Sequence, residues 1–175
     1  MTAPTLDTSA EMLRFAFGET SLGTALVAEG VRGVVALFIG DDRVKLVRDL
    51  QDAFPDAKLD VDQAGLAQTI AKAVALVDAP HIGTDLVLDL RGSPVEVAVW
   101  KALQALPAGK TSTYGEIART LKVAATAQDV GAACAANRIA IAVPCHRVVK
   151  ADGSISGYRW GVQRKRRLIN MEGVA

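Results

Sequence analysis

The chain has 175 residues and a mass of 18.4 kDa, enough for one compact domain or two small ones sharing an interface, and too short for a multidomain assembly. Half of the residues are apolar and mean hydropathy is +0.24, which excludes a disordered chain and predicts a well-filled core. The net charge of +1 hides a division: up to Leu90 there are 7 Lys and Arg against 14 Asp and Glu, a net of −7, and from Arg91 onward 13 against 5, a net of +8.

The opening stretch MTAPTLDTSAEML lacks the basic start and apolar run of a secretory signal. No apolar run approaches the roughly 20 residues that cross a bilayer, so a cytoplasmic location without a membrane partner is expected. Three runs rich in Val, Ile, Leu and Phe follow, Leu13 to Phe17, Leu22 to Ala28 and Gly33 to Ile39, and the glycines between them predict an antiparallel meander. Asp41 and Asp42 cap a predicted helix to about Phe54, where Pro55 stops it. A second helix is predicted from about Asp62 to Val77, and Leu86-Val87-Leu88 offers a return to the sheet. His81 is isolated and reads as a surface or loop residue. Nothing in residues 1–90 resembles a catalytic constellation, so this half is assigned a scaffold role.

Ser93-Pro94 opens the second half as an N-cap with Pro in the first turn, and Val95, Val99, Trp100, Leu103 and Leu106 supply an apolar helical stripe that ends at Pro107-Ala108-Gly109. Thr113-Tyr114-Gly115-Glu116 has the capping-box form and opens a short helix through Leu121. Thr126-Ala127-Gln128-Asp129 opens another, rich in Ala, through about Ala136. Two short helices so joined are a helix-turn-helix candidate. The basic surplus of this half is the footprint of a polyanion partner, since Lys and Arg that neutralise phosphates release condensed counterions. A glycine-rich loop, Asp152 to Gly161, leads to a last helix, Val162 to Met171, whose Arg164-Lys165-Arg166-Arg167 run suits either phosphates or plain solvation.

Chemistry concentrates in Ala142-Val143-Pro144-Cys145-His146-Arg147-Val148-Val149. Thiolate is the nucleophilic form of cysteine, and an imidazole and a cation within two residues of Cys145 are of the kind that lowers a thiol pKa. Cys134, among alanines on a helix, reads as a packed core thiol. With two cysteines, a disulfide framework is not expected. No CxxC or HxxxH pair is present, and the adjacent Cys145 and His146 suit one ion poorly, so no metal and no cofactor are assigned. A cysteine hydrolase would need an acyl-binding cleft, whereas this cysteine lies in a basic, helix-turn-helix-like region.

Pro144-Cys145-His146-Arg147-Val148-Val149 resembles the active-site signature of the O6-alkylguanine-DNA alkyltransferases, the methylated-DNA:protein-cysteine methyltransferases. The resemblance extends through Trp100, Thr113-Tyr114, Ala135-Ala136-Asn137 and Ser156-Gly157-Tyr158-Arg159-Trp160-Gly161, and reaches the N-terminal strands. In pattern it is most similar to the C-terminal half of bacterial Ada-type adaptive-response proteins. It implies an α/β (α+β) fold: an RNase H-like sheet-and-helix scaffold domain over 1–90, and over 91–175 a helical, winged helix-turn-helix-like domain that binds DNA and transfers the alkyl group. The implied partner is double-stranded DNA containing O6-alkylguanine, met through the minor groove by a monomer.

The family's chemistry, carried over residue by residue, makes Cys145 the nucleophile that keeps the alkyl group as a thioether, so each molecule acts once. His146, held by Glu172, relays the thiol proton, Asn137 braces the turn, and Tyr114 neutralises the charge on the leaving guanine. Since a lesion lies inside the stack, the nucleotide must be flipped into a pocket. Tyr158 would wall it, and Val143, Pro144, Val148 and Arg159 complete it, with backbone groups at Cys145 and Val148 reading the base edge. Trp160 would narrow the alkyl end and favour methyl over bulky adducts. Thr113, Gln128, Ala132, Arg138 and Arg147 are the implied DNA contacts. Where family members place an arginine in the first turn of the recognition helix, this chain has Gln128 followed by Asp129. That departure predicts weaker binding or flipping of duplex DNA. The alternatives are a lesion sensor or regulator of the same fold that binds without transferring, in which Cys145 would have no use, and a plain helix-turn-helix transcription factor.

Overall fold

The computed structural model describes residues 10–173. Residues 1–9, most of the opening stretch MTAPTLDTSAEML, and the two last residues of the 91–175 unit lie outside the described residues.

Strands β1 (Met12–Thr20), β2 (Gly23–Gly30) and β3 (Gly33–Gly40) form the antiparallel meander. β3 is an end strand of the sheet, yet it is buried from Gly33 to Ile39, because later segments bridge to it at Val34 and Leu37. A fourth strand that periodicity did not indicate, β4 (Lys58–Val61), lies parallel to β1 and completes the order β3-β2-β1-β4. Its sequence KLDV sits on an edge, largely exposed, and so carries no apolar alternation to detect.

Helix α1 (Arg43–Ala53) connects β3 to β4; Asp42 caps it by accepting hydrogen bonds from the amides of Val44 and Lys45, and Leu46 and Leu50 face inward. Helix α2 (Ala67–Asp78) starts five residues later than the spacing suggested. Asp62 holds the intervening turn, its carboxylate accepting from Gly65 N at 2.9 Å, while its carbonyl accepts from Leu66 N. The Leu86 to Leu88 run makes a single bridge to Val34 rather than a strand.

The C-terminal part is α3 (Pro94–Gln104), β5 (Ser112–Thr113), α4 (Tyr114–Thr120), α5 (Ala127–Ala135), β6 (Val148–Val149) and α6 (Val162–Met171). Helices α3, α4 and α5 each begin with a closed capping box, Ser93/Glu96, Thr113/Glu116 and Thr126/Asp129. Trp100 on α3 donates its indole N–H to Ala133 O of α5 at 2.9 Å, locking the helix that precedes the helix-turn-helix pair onto its second member. A bridge between Leu37 and Ile139, with Leu37 N to Arg138 O and Ala140 N to Leu37 O both at 2.9 Å, joins β3 to the segment leading into Cys145. One apolar cluster runs unbroken from Leu13 and Phe38 to Cys145 and Leu168. Among the described residues no helix is long and apolar enough to cross a membrane.

Candidate active site

Cys145, His146 and Arg147 form a single 3-10 turn. The register Ser112 with Val148 and Thr113 with Val149 pins the exit of that turn to the start of α4, and so brings Tyr114 beside it. From the other side Asn137, at the end of α5, holds the turn: its Nδ2 donates to Val143 O at 3.0 Å and to Cys145 Sγ at 3.3 Å, and its Oδ1 accepts from Ile139 N at 2.9 Å. Ile141, inside this loop, has φ 70°, a strained value for a β-branched residue, of the kind found beside functional groups.

His146 is fully buried, with Nε2 on Glu172 Oε1 and Nδ1 free of any partner among the described residues. Burial pulls the imidazole below its ordinary pKa despite the carboxylate, so the ring is a neutral base. Burial alone would raise Glu172, yet hydrogen bonds from His146 and Arg147 outweigh it and keep the carboxyl ionised. Cys145 departs from the expectation of a lowered thiol: burial pushes it up, against the opposing pull of Asn137, Lys165 and Arg159. The resting residue is a thiol and needs a base.

A cavity of about 480 Å³ opens onto Cys145, within the roughly 300–1,000 Å³ of ligand pockets. Tyr114, Tyr158, Arg159, Gly131 and Gly157 line it, and Cys134 joins them; the core thiol expected from its alanine neighbours is half-buried on this wall, its pKa pushed up to about 12 by burial. Burial also raises both phenols, Tyr158 more than Tyr114, and the Tyr158 hydroxyl is buried without a partner among the described residues.

Several expected contacts are placed differently. Arg147 is buried, donating Nε to Glu172 Oε2 at 2.8 Å and Nη1 to Leu106 O at 2.7 Å, so it braces the carboxylate and has no face for phosphate. Arg138 turns toward the N-terminal half, with Nη1 on Arg91 O and its guanidinium 5.4 Å over Phe54. Trp160 does not line the cavity: it backs Tyr158 edge to face at 5.3 Å and leans on Phe38, so it does not narrow the alkyl end directly. The side chains of Val143, Pro144 and Val148 are buried, which leaves their backbone for any reading of a base. Gln128, Asp129 and Ala132 are exposed on α5, while Thr113 is the half-buried N-cap of α4.

The basic run on α6 divides. Arg164 is tied to Asp41 and Leu22 O, Arg166 and Arg167 are exposed, and Lys165 is buried, 1% exposed, its Nζ on Ser156 Oγ at 2.9 Å. Neither Lys165 nor Ser156 stood out as a site residue in the sequence. The signal was there in the spacing: Lys165, Leu168 and Glu172 stand at i, i+3 and i+7 on the inward stripe that runs from the middle of α6 to its C-cap.

Residues 94–174, from the first turn of α3 onward, match the DNA-binding domain of 6-O-methylguanine DNA methyltransferase. The bifunctional transcriptional activator/DNA repair enzyme Ada of Escherichia coli is 39% identical over 160 residues, 91% of this chain and 45% of that protein. The crystal structure of Mycobacterium tuberculosis O6-methylguanine methyltransferase superposes with a TM-score of 0.74 at 30% identity, covering 92% of this chain and 93% of that one. The chain belongs to the O6-alkylguanine-DNA alkyltransferase family. It spans about half the length of the curated Ada proteins it matches. The crystal structure of M. tuberculosis OGT in complex with DNA is also similar, with a TM-score of 0.73, 31% identity and 92% coverage of both chains.

Proposed function

We propose that this chain repairs O6-alkylguanine in duplex DNA by moving the alkyl group, in one irreversible step, onto Cys145. The reading rests on one observation above the others: the only signature cysteine lies on a cavity large enough for a base, with a neutral imidazole next to it in the chain and a phenol on the cavity wall. A flipped nucleotide enters beside Tyr158. His146 Nδ1 takes the thiol proton through a bridging water, with Glu172 bearing the imidazolium charge. Sγ forms a bond to the alkyl carbon as the carbon–O6 bond breaks, and the pair left on guanine draws a proton from Tyr114. No hydrolytic route releases the thioether, so turnover ends at one.

In this reading residues 1–90 are a scaffold domain and 91–175 the DNA-binding and transfer domain of a cytoplasmic monomer. The exposed face of α5 meets the minor groove; small residues at Ala132 and Ala135 let it approach closely, and Gln128 takes the flipped base's place in the duplex. Arg166, Arg167 and Lys101 leave exposed charge for phosphates.

The test is intact mass after incubation with a duplex oligonucleotide containing O6-methylguanine. Wild type should gain one methyl, located on Cys145 by peptide mapping, and Cys145→Ser should gain none. Wild type recovered unmodified, or modified elsewhere, overturns the reading.

A further inference from the structure

Tyr114, Ser156 and Lys165 come from three different segments, the start of α4, the 150–161 loop and α6, yet they form one hydrogen-bonded line. Tyr114 Oη contacts Ser156 Oγ, and Ser156 Oγ accepts from Lys165 Nζ at 2.9 Å. Donor counting permits a proton to pass along the line toward the cavity. An ammonium only donates, so one lone pair of Ser156 accepts from Lys165, and its single O–H is available to point at Tyr114. Tyr114 then accepts there, and its own O–H is free to point into the cavity that it lines.

Lys165 poses a question that packing does not answer. An ammonium 1% exposed, with a serine hydroxyl at 2.9 Å and Gly157 O at 3.5 Å as its protein partners among the described residues, has no carboxylate against it. Isolated buried charge is costly. The charges and titrating groups that act on it come from the catalytic turn and α5: Cys145, Cys134 and the His146 imidazole.

We propose that Lys165 and Ser156 form a one-way proton relay that refills Tyr114 as the phenol protonates the departing guanine. The proposal rests on the alkyl-transfer reading and deepens it. As the Sγ–carbon bond forms and the carbon–O6 bond breaks, guanine takes the Tyr114 proton. Tyr114 takes the Ser156 proton, and Ser156 takes one from Lys165, which ends as a neutral amine. On the other side of the sulfur, the thiol proton has moved to His146. Before transfer the buried charges are Lys165 ammonium, Arg147 guanidinium and Glu172 carboxylate; afterwards they are His146 imidazolium, the same guanidinium and the same carboxylate. Net charge in the buried site is unchanged, and no phenolate is stranded. Burial lowers Lys165 below the ordinary lysine value and raises Tyr114, and both changes favour this direction. Tyr114 touches the base and is catalytic; Ser156 and Lys165 act through it.

A relay matters most when the leaving base is a poor one. Single-turnover transfer is therefore measured from two duplexes, one with O6-methylguanine and one with 8-aza-O6-methylguanine, whose leaving base is the stronger acid. Ser156→Ala should slow the guanine donor on the order of tenfold and the aza donor far less, and Ser156→Thr, which restores a hydroxyl, should recover the guanine rate. Lys165→Met, which keeps the buried volume, should show the same donor-selective loss. Equal slowing of both donors, no slowing, or failure of threonine to recover the rate overturns the relay. Failure of wild type to methylate Cys145 from either donor overturns the transfer reading instead.

Discussion

Asn137 Nδ2 lies 3.3 Å from Cys145 Sγ while the same amide holds Val143 O at 3.0 Å, so one side chain sets both the path of the loop and the environment of the nucleophile. Asn137 is 1% exposed, and its removal leaves Ile139 N unpaired, while Val143 O keeps the amide of Cys145 at 2.8 Å. Each buried group left unpaired costs about 1–3 kcal/mol. Asn137→Ala should therefore lower the melting temperature by about 4–8 °C, taking about 2 kcal/mol at 2–4 °C per kcal/mol. It should also raise the Cys145 thiol further, because the hydrogen bond to sulfur favours the thiolate. Thermal melting and the pH dependence of thiol alkylation check both, and an unchanged melt would mean that the loop holds itself.

Much of this was legible in the sequence, for reasons that differ by residue. Strands β1 to β3 are long, apolar and separated by glycine, and the capping boxes of α3, α4 and α5 sit at their starting residues, so local chemistry specifies them. β4 was not legible because an exposed edge strand has no apolar alternation, and its parallel partner β1 is more than forty residues away in sequence. The catalytic turn was legible as a motif, but its electrostatics were not. Neighbouring His146 and Arg147 suggested a lowered Cys145 pKa, whereas Arg147 is committed to Glu172, and burial, which sequence adjacency does not report, dominates the thiol. Lys165 was hidden inside a run of like charges whose neighbours do face solvent.

His146 and Glu172 should make the fold sensitive to mild acid. The folded imidazole has a pKa below its ordinary 6.5. As pH falls through about 6.5 the unfolded chain therefore takes up a proton that the folded chain refuses, and stability declines until the folded pKa is passed. Glu172, lowered from 4.5, acts with the same sign at lower pH: its contribution is present above 4.5 and is lost as pH falls through its folded value. Melting temperature should fall as pH is taken below about 6.5, and His146→Gln should flatten the first part of that decline. A wild-type curve that is flat from pH 7 to 5 would contradict the buried neutral imidazole.

Gly131 is an interior residue of α5 on the cavity wall, and a Cβ there would meet Tyr114 only at 3.9 Å, ordinary van der Waals contact. Since glycine in a helix interior costs about 0.5–1 kcal/mol relative to alanine, Gly131→Ala should raise the melting temperature by about 1–4 °C. The same methyl group narrows the cavity beside the phenol. The ratio of transfer from O6-methylguanine to transfer from O6-benzylguanine should therefore rise, whatever happens to either rate alone. If the two donors respond equally, the wall at Gly131 does not bound the alkyl group.

Gln128 and Asp129 bear on how well the chain engages duplex DNA. Both are exposed in the first turn of α5, and Asp129 is held there by the capping box, its Oδ2 accepting from Thr126 N at 2.8 Å. The carboxylate thus has a local structural use that keeps negative charge on the face expected to meet phosphates, and Gln128 brings hydrogen bonding without positive charge. Gln128→Arg should leave the capping box intact and add one cation at that face. Transfer from duplex O6-methylguanine should rise by about tenfold or more relative to transfer from the free base, which requires no flipping. Binding to undamaged duplex should steepen by about one unit in its logarithmic salt dependence, since one further phosphate charge is neutralised. If duplex and free-base rates change together, the residue acts on the chemistry of the pocket rather than on flipping, and the account of this departure from the family pattern is wrong.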